Sequence, residues 1–441
     1  MINLPDSTAL SERRNQSIRW AMWSFLVLLH LITTFHRVSF NVVADLLTAE
    51  FNLTGAGLGN LAAAYTYMYV IMQIPGGLLV DRLGPRYIAL ITGLAMAAGS
   101  IIIGFASSAA LVFLGRLLIG FGGSVVLINI FKFQAAWFRL EKFATLSGMA
   151  ILLSGSGALF GATPLALSVG LFGWRNSFIA VGLFTILAAL LSWSLVRNRP
   201  RESAVKVSAG FGSSEPVQPG EEAVSLESFK GVLSNRRLWL PFLINLGIFG
   251  GFIVFSGTWG VSYLVHVYGI EVEQASTYMA LTYLGYMVGA PLAGWFSDRF
   301  GSRKVPAVAL VSLCLIFWLL LAAWPGGMLP LNLLYLFCVL LGLGTASTIL
   351  SFPMAREVSK TGHTGLVTAA VNLGVFLGLA ILQPLFGFVL DLGWEGRLIE
   401  GARIYPLLAY RLGFLVCCLF SVISLAAALL YQEPGRADRR S

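Results

Sequence analysis

The sequence predicts an all-α membrane protein of twelve transmembrane helices, arranged as two six-helix bundles related by a pseudo-twofold axis. Three observations carry that expectation. The 441 residues are 57% hydrophobic and only 11% charged, about half the charged share of a soluble domain. The apolar residues gather into twelve stretches, each near the roughly 20 residues a helix needs to cross hydrocarbon. One loop pattern also occurs twice, 217 positions apart.

The twelve stretches are 22–47, 57–79, 87–106, 109–135, 146–170, 175–196, 238–266, 274–297, 304–324, 331–352, 364–391 and 404–431. The long polar stretch 197–237 divides them six and six, and its Gly/Ser/Glu/Pro-rich centre reads as a flexible linker. The domain expectation is therefore a tail 1–21, a bundle 22–196, the linker 197–237, a bundle 238–431 and a tail 432–441. Leu226 to Leu233 reads as a short amphipathic helix on the membrane surface. Cys314, Cys338, Cys417 and Cys418 all lie in apolar runs, so no disulfide framework is expected. The polar first 20 residues precede an apolar run too long for a signal-peptide core, and no cleaved signal is expected.

Charge sets the orientation. With the N-terminus in the cytoplasm, 22 basic residues fall in inner segments and 4 (Arg175, Arg397, Arg403 and Arg411) in outer segments or their flanks. Arg37, Arg116 and Lys132 lie within spans. This positive-inside split accounts for the net charge of +9 with no nucleic-acid partner. Both termini are expected inside, in the inner membrane of a bacterium.

The repeated loop is Gly77-Leu78-Leu79-Val80-Asp81-Arg82-Leu83-Gly84-Pro85-Arg86, and its second copy is Gly294-Trp295-Phe296-Ser297-Asp298-Arg299-Phe300-Gly301-Ser302-Arg303. Gly, Asp, Arg, Gly and Arg recur at one spacing, the mark of a duplicated unit. The second glycine of each copy permits the tight reversal. Asp81 and Asp298 stand at helix ends, where they can accept hydrogen bonds from a neighbouring helix N-terminus and from the loop arginines. Gly77, Asp81, Arg82, Gly84 and Arg86, with Gly294, Asp298, Arg299, Gly301 and Arg303, are thus candidate gating residues.

These loops resemble the signature G-x-x-x-D-R-x-G-x-R of the major facilitator superfamily, with Pro85 where a basic residue is common. Arg116-Leu117-Leu118-Ile119-Gly120 resembles the family's fourth-helix motif, which implies a buried structural arginine bonded to a neighbouring helix. Gly173-Trp174-Arg175 and the stretch from Asn372-Leu373-Gly374 to Gln383-Pro384 are similar to family patterns too. The drug-antiporter motif is not met, because Pro164 falls two residues late after Gly161.

Polar residues inside spans are costly and point to function. In the first span His30, Thr33, Thr34, Arg37, Asn41 and Asp45 lie within about 60° of one line on a continuous helix. Arg37 sits roughly 22 Å into that span, too deep for easy snorkelling. Phe35-His36-Arg37-Val38-Ser39-Phe40-Asn41 resembles the first helix of anion:cation symporters and organophosphate antiporters. That resemblance implies a substrate-binding arginine at Arg37, with His36 where an aspartate is common. Pairing of Arg37 with Asp45 is the alternative.

The seventh span carries a second stripe: Asn245, Phe249, Phe252, Ser256, Trp259, Tyr263 and His266. Its last three residues suit an interfacial belt equally well. Tyr65, Tyr69 and Gln73 in the second span, and Thr368, Asn372 and Gln383 in the eleventh, form shorter lines. The candidate substrate-binding set is therefore Arg37, Asn41, Tyr65, Tyr69, Gln73, Asn245, Ser256, Asn372 and Gln383. His30, His36 and Asp45 are candidates for coupling a proton. With three intramembrane cations and one edge acid, the spans favour a small organic anion or carboxylate-bearing solute.

The expected activity is transport of a small molecule by alternating access, secondary active or facilitative, in a monomer within the lipid bilayer; coupling to a proton, exchange with a counter-substrate and uncoupled transport stay open. The alternatives are an efflux carrier for apolar or cationic compounds, and a receptor of the same fold. No nucleotide loop, catalytic carboxylate pair or metal-ligand cluster is present in the sequence, so no enzyme activity, cofactor or metal is expected.

Overall fold

A computed structural model describes residues 7–139, 142–198, 234–325, 327–359 and 364–433. The expected surface helix at 226–233 lies outside them. The chain crosses twelve times. The first span runs Ser7–Val38 and, after a break at Ser39, Phe40–Phe51. The second is Gly55–Ile71 and the start of Gln73–Gly104, whose remainder is the third. Ala109–Trp137 is the fourth, Phe143–Phe160 with Thr163–Phe172 the fifth, and Trp174–Leu195 the sixth.

The second half repeats the plan. Trp239–Val254, the π-helical turn Phe255–Trp259 and Gly260–Tyr268 make the seventh span. Val272–Phe300, Lys304–Ala323 and Leu331–Thr345 with Ser347–Val358 follow as the eighth to tenth. Thr364–Leu392 and Leu407–Leu430 complete the set. Among the described residues the β structure is a two-residue antiparallel ladder, Leu398–Ile399 with Ala402–Arg403, in the last connection. Glu400 at φ 50° and Gly401 at φ 85° make its turn.

Two spans are less obvious as membrane crossings, for physical reasons. The second is interrupted at Met72 after 17 residues, and the eighth carries Ser, Thr and Tyr along its length with charges at its ends. The second is mostly buried, whereas the eighth buries one face and exposes Leu284, Val288, Leu292 and Trp295 on another.

A backbone that leaves the α-helix inside a membrane must find protein partners for the groups it frees. The π turn of the seventh span finds them in the first. Asn41 Nδ2 donates to the carbonyls of Ser256 (2.8 Å) and Phe255 (3.3 Å), and the Val261 N–H donates to Asn41 Oδ1 (3.0 Å). At three glycines the second and eleventh spans meet backbone to backbone. A Cβ on Gly55 would strike the Gly387 carbonyl, one on Gly387 the Gly55 carbonyl, and one on Gly59 the Gln383 carbonyl. Asp391 crosses this seam to cap the second span, accepting from the Gly55 (2.7 Å) and Ala56 (2.8 Å) N–H groups. Tyr405 donates to the same carboxylate (2.9 Å), and Arg403 lies 3.2 Å from it.

These ties lie on the face opposite the duplicated loops. There Arg175 follows the reversal at Gly173 (φ 78°) and donates to Glu50 and to the Ala106 carbonyl, each at 2.7 Å.

Arg116 holds the first half together from within. Only 2% exposed, it donates to the carbonyls of Ala62 (2.6 Å), His36 (2.7 Å) and Leu61 (3.3 Å), joining the fourth span to the second and first. The Phe40 ring lies 4.6 Å from its guanidinium carbon.

Two outcomes follow from this packing. Gly59→Val should hold the second and eleventh spans apart at a cost of about 1–3 kcal/mol, lowering uptake while the protein still elutes as a folded species in detergent. Arg116→Leu should destabilise by about 1–3 kcal/mol through carbonyls left without their donor, read as a lower melting temperature that Arg116→Lys partly restores.

Candidate functional site

Arg37 marks the level at which the space between the halves closes. Along the first span Ser24, Leu28, Leu31, Thr34 and Arg37 are each at least partly accessible, whereas every residue from 38 to 44 is buried. In the seventh span Phe242 and Leu246 are partly accessible, and every residue from 247 to 264 is buried. The accessible lines therefore run inward from the face of the duplicated loops and stop near Arg37.

The two buried-segment arginines of the first half have opposite surroundings. Arg116 spends its donors on three carbonyls. Arg37 Nε is buried with no hydrogen-bond partner among the described residues, and the same holds for the Tyr65 hydroxyl beside it. The Arg37 guanidinium carbon lies 6.0 Å from the Tyr65 ring centre, and Tyr69, Tyr283 and Tyr286 are within its electrostatic reach. Tyr283 accepts a hydrogen bond from Ser256 (3.0 Å) and packs edge-on to Phe252. Tyr69 stacks on Phe376 at 3.8 Å, an aromatic contact between the halves. Among the described residues no carboxylate pairs with this guanidinium, and phenol groups from both halves surround it.

The first-span stripe does not stay on one side. Thr33 turns to Met96 of the third span (3.3 Å), and Thr34 donates to the Ser154 carbonyl of the fifth. The break at Ser39 then resets the helix, so Asn41 and Asp45 meet the seventh span instead. The alternative partner for Arg37 is thus already engaged: Asp45 Oδ1 accepts from Ser262 (2.6 Å), and Asp45 Oδ2 faces His266 Nε2 at 3.2 Å. His36 is fully buried between Phe35 and Phe178, its two ring nitrogens without partners among the described residues. His30 is buried as well, with Nδ1 unpaired.

Other residues from the sequence divide by what they touch. Tyr65, Tyr69 and Ser256 gather around Arg37. Asn245 bridges spans of its own half, donating to the Val371 carbonyl (3.2 Å) and accepting from Ser351 (2.8 Å). Gln383 donates to Thr258 (2.8 Å), also within its half. Gln73 and Asn372 are half-buried. Tyr283 and Tyr286, two of the four phenols near Arg37, were not singled out by sequence. Their one-turn spacing in a span rich in Tyr, Thr and Ser was the available signal.

The duplicated loops share a positive-φ glycine but differ in ψ there (166° at Gly84, 25° at Gly301) and in their partners. Gly84 and Gly301 take positive φ (76° and 61°) at the reversals. In the first copy Asp81 is bound by Lys132 of the fourth span at 2.7 Å, while Arg86 donates to the Trp193 carbonyl at 2.8 Å. In the second copy Asp298 is bound by Arg303 of its own loop at 2.6 Å, and Arg303 reaches Glu357 at 3.4 Å. Glu433 in turn accepts from the Lys304 N–H (2.9 Å) and Ser302 (3.0 Å). Arg82 and Arg299 are exposed. A Cβ on Gly77 or Gly294 would meet open space, so the two loops are not packed on the facing half at those points.

Comparison with known proteins agrees with this architecture. The Major Facilitator Superfamily profile matches residues 26–275 and 254–441. A probable L-galactonate transporter of Escherichia coli is 23% identical over 99% of this chain and 94% of its own. A probable sulfoacetate transporter of Cupriavidus necator is 25% identical over 63% and 64%. Among solved structures, a bacterial homologue of the human lysosomal transporter Spinster, inward-facing and unoccupied, superposes with a TM-score of 0.75 at 20% identity, covering 94% of this chain and 97% of that one. Twelve spans in two halves, paired signature loops and a profile match along nearly the whole chain place this protein in the major facilitator superfamily, as a multi-pass membrane transporter.

Proposed function

We propose that the protein is a carrier that moves a small organic anion across a bacterial inner membrane by alternating access, with Arg37 holding the anionic group. The observation that carries this reading is the unneutralised guanidinium at the closed end of the accessible space. A cation taken out of water without a counter-charge is costly, and the site recovers that cost when a carboxylate or sulfonate arrives. Such an anion can take two parallel hydrogen bonds from one guanidinium. Tyr65, Tyr69, Tyr283 and Tyr286 would offer hydroxyls and ring faces to the uncharged remainder. Gln73 and Asn372, half-buried on the second and eleventh spans, would contact it on the entry side.

Relatives support the anion. One is named for L-galactonate and one for sulfoacetate, both organic acids. The basic loops support a cytoplasmic position for the loop-bearing face. On that orientation the structure has its cytoplasmic side accessible and its outer side sealed by Asn41, Asp45 and Asp391. Re-forming the opposite arrangement requires those ties to part and the halves to rock together around Asp81 and Asp298.

Reconstituted in liposomes, the protein should take up L-galactonate or a related monocarboxylate. Arg37→Ala should cut uptake by at least about tenfold, the weight of one lost charge-assisted pair, while its elution in detergent stays unchanged. Arg37→Lys should keep part of the activity. Uptake by folded Arg37→Ala equal to the unmodified protein's would overturn the assignment.

A further inference from the structure

Asp45, His266 and Tyr410 form a chain of titratable groups that the substrate site does not use. Asp45 belongs to the first half, His266 to the seventh span and Tyr410 to the twelfth. His266 Nε2 lies 3.2 Å from Asp45 Oδ2, and His266 Nδ1 lies 3.0 Å from the Tyr410 hydroxyl. Ser262 donates to the other carboxylate oxygen at 2.6 Å. The His266 side chain is only 2% exposed, against 29% for Asp45. This chain crosses the sealed face, so the face cannot open without separating Asp45 from both Ser262 and His266.

The neighbouring charges have partners of their own. Glu50, on the same helix as Asp45, is paired with Arg175. Asp391 is paired with Arg403 and holds the Tyr405 hydroxyl, whose ring lies 6.4 Å from His266. Arg411, next to Tyr410, donates to the Trp324 (2.8 Å) and Gly327 (3.1 Å) carbonyls. Glu273 of the eighth span lies against Gly170 of the fifth. Tyr263 packs on the Tyr410 ring at 5.1 Å. Among the described residues, the imidazole is therefore the one group placed to neutralise the Asp45 carboxylate.

We propose that Asp45 and His266, positioned by Tyr410 and Ser262, are a proton-bearing latch of the outer gate: a proton taken from outside water onto His266 closes it. This rests on the alternating-access reading above. With His266 protonated, the closed face gains an imidazolium–carboxylate pair that the parted face lacks. The state that binds the proton more tightly is favoured as pH falls, so acid outside favours closure and alkali favours parting. The proton would enter from outside water onto His266, whose Nε2 faces Asp45 Oδ2 at 3.2 Å, and leave by the same route. It gates the cycle without crossing the membrane.

The test needs no substrate. Val42 lies in the seam beside Val261, Ser276 and Met279 of the second half and is buried. In the full chain in liposomes, Val42→Cys would be labelled from outside with a membrane-impermeant maleimide. The rate is divided by that of Ser107→Cys, at an exposed site on the same face, which cancels the thiol's own pH dependence. The ratio should fall about tenfold from pH 8 to 5.5, within the limit of one linked proton. His266→Gln and Asp45→Asn should each flatten the profile, while Ser262→Ala should leave it sloped. A flat profile in the unmodified latch, or a slope kept in both His266→Gln and Asp45→Asn, would overturn the latch. Loss of the latch with Arg37-dependent uptake intact leaves the transport reading standing, and the reverse result separates them equally.

Discussion

Inside a bilayer, backbone that departs from the helix has no water to bond with, and the join between the halves is built from that constraint. The seventh span leaves α geometry at Phe255–Trp259, and Asn41 of the other half supplies what the turn lacks. The second span begins abruptly at Gly55, and its first N–H groups are met by Asp391 from the eleventh. In both places an irregularity in one half is completed by a side chain of the other. The halves therefore close against each other through partners that each would otherwise miss.

Much of this architecture was legible in the sequence. Apolar runs, the basic-residue asymmetry and the repeated loop are local or compositional signals, and the chain does cross twelve times with its reversals at Gly84 and Gly301. The side-chain partners were less legible. The first-span stripe assumed a helix turning at 100° throughout, whereas the break at Ser39 sends Asn41 and Asp45 to the seventh span. Asn245 reads like a cavity amide in a helical projection and is spent on Val371 and Ser351. Asp81 takes Lys132 from two spans away, a pairing that no spacing within the loop encodes. Asp391 and His266 matter through neighbours hundreds of positions distant, and periodicity carries no information of that kind.

Arg37 and Arg116 show how one residue type serves two ends. Both are cations within the first half's membrane region. Arg116 faces three carbonyls whose partial charges accommodate it, so it acts as a joint between helices. Arg37 faces hydroxyls and rings, which orient a ligand but do not neutralise a charge. The difference lies in what surrounds each guanidinium, and it underlies the proposal that Arg37 rather than Arg116 holds the anion.

The glycine seam at Gly55, Gly59 and Gly387 has a consequence for the rate at which such a machine can turn over. Side chains that interdigitate must choose rotamers each time they mesh, and long ones lose up to about 2 kcal/mol of entropy apiece on ordering. Bare backbone has no such choice to make. At the glycines the two helices could part and rejoin as bare surfaces, which leaves the side-chain search to Tyr69, Phe376 and Asp391 along the same pair. The contact is thereby suited to being transient: close enough to exclude water when made, and cheap to make again.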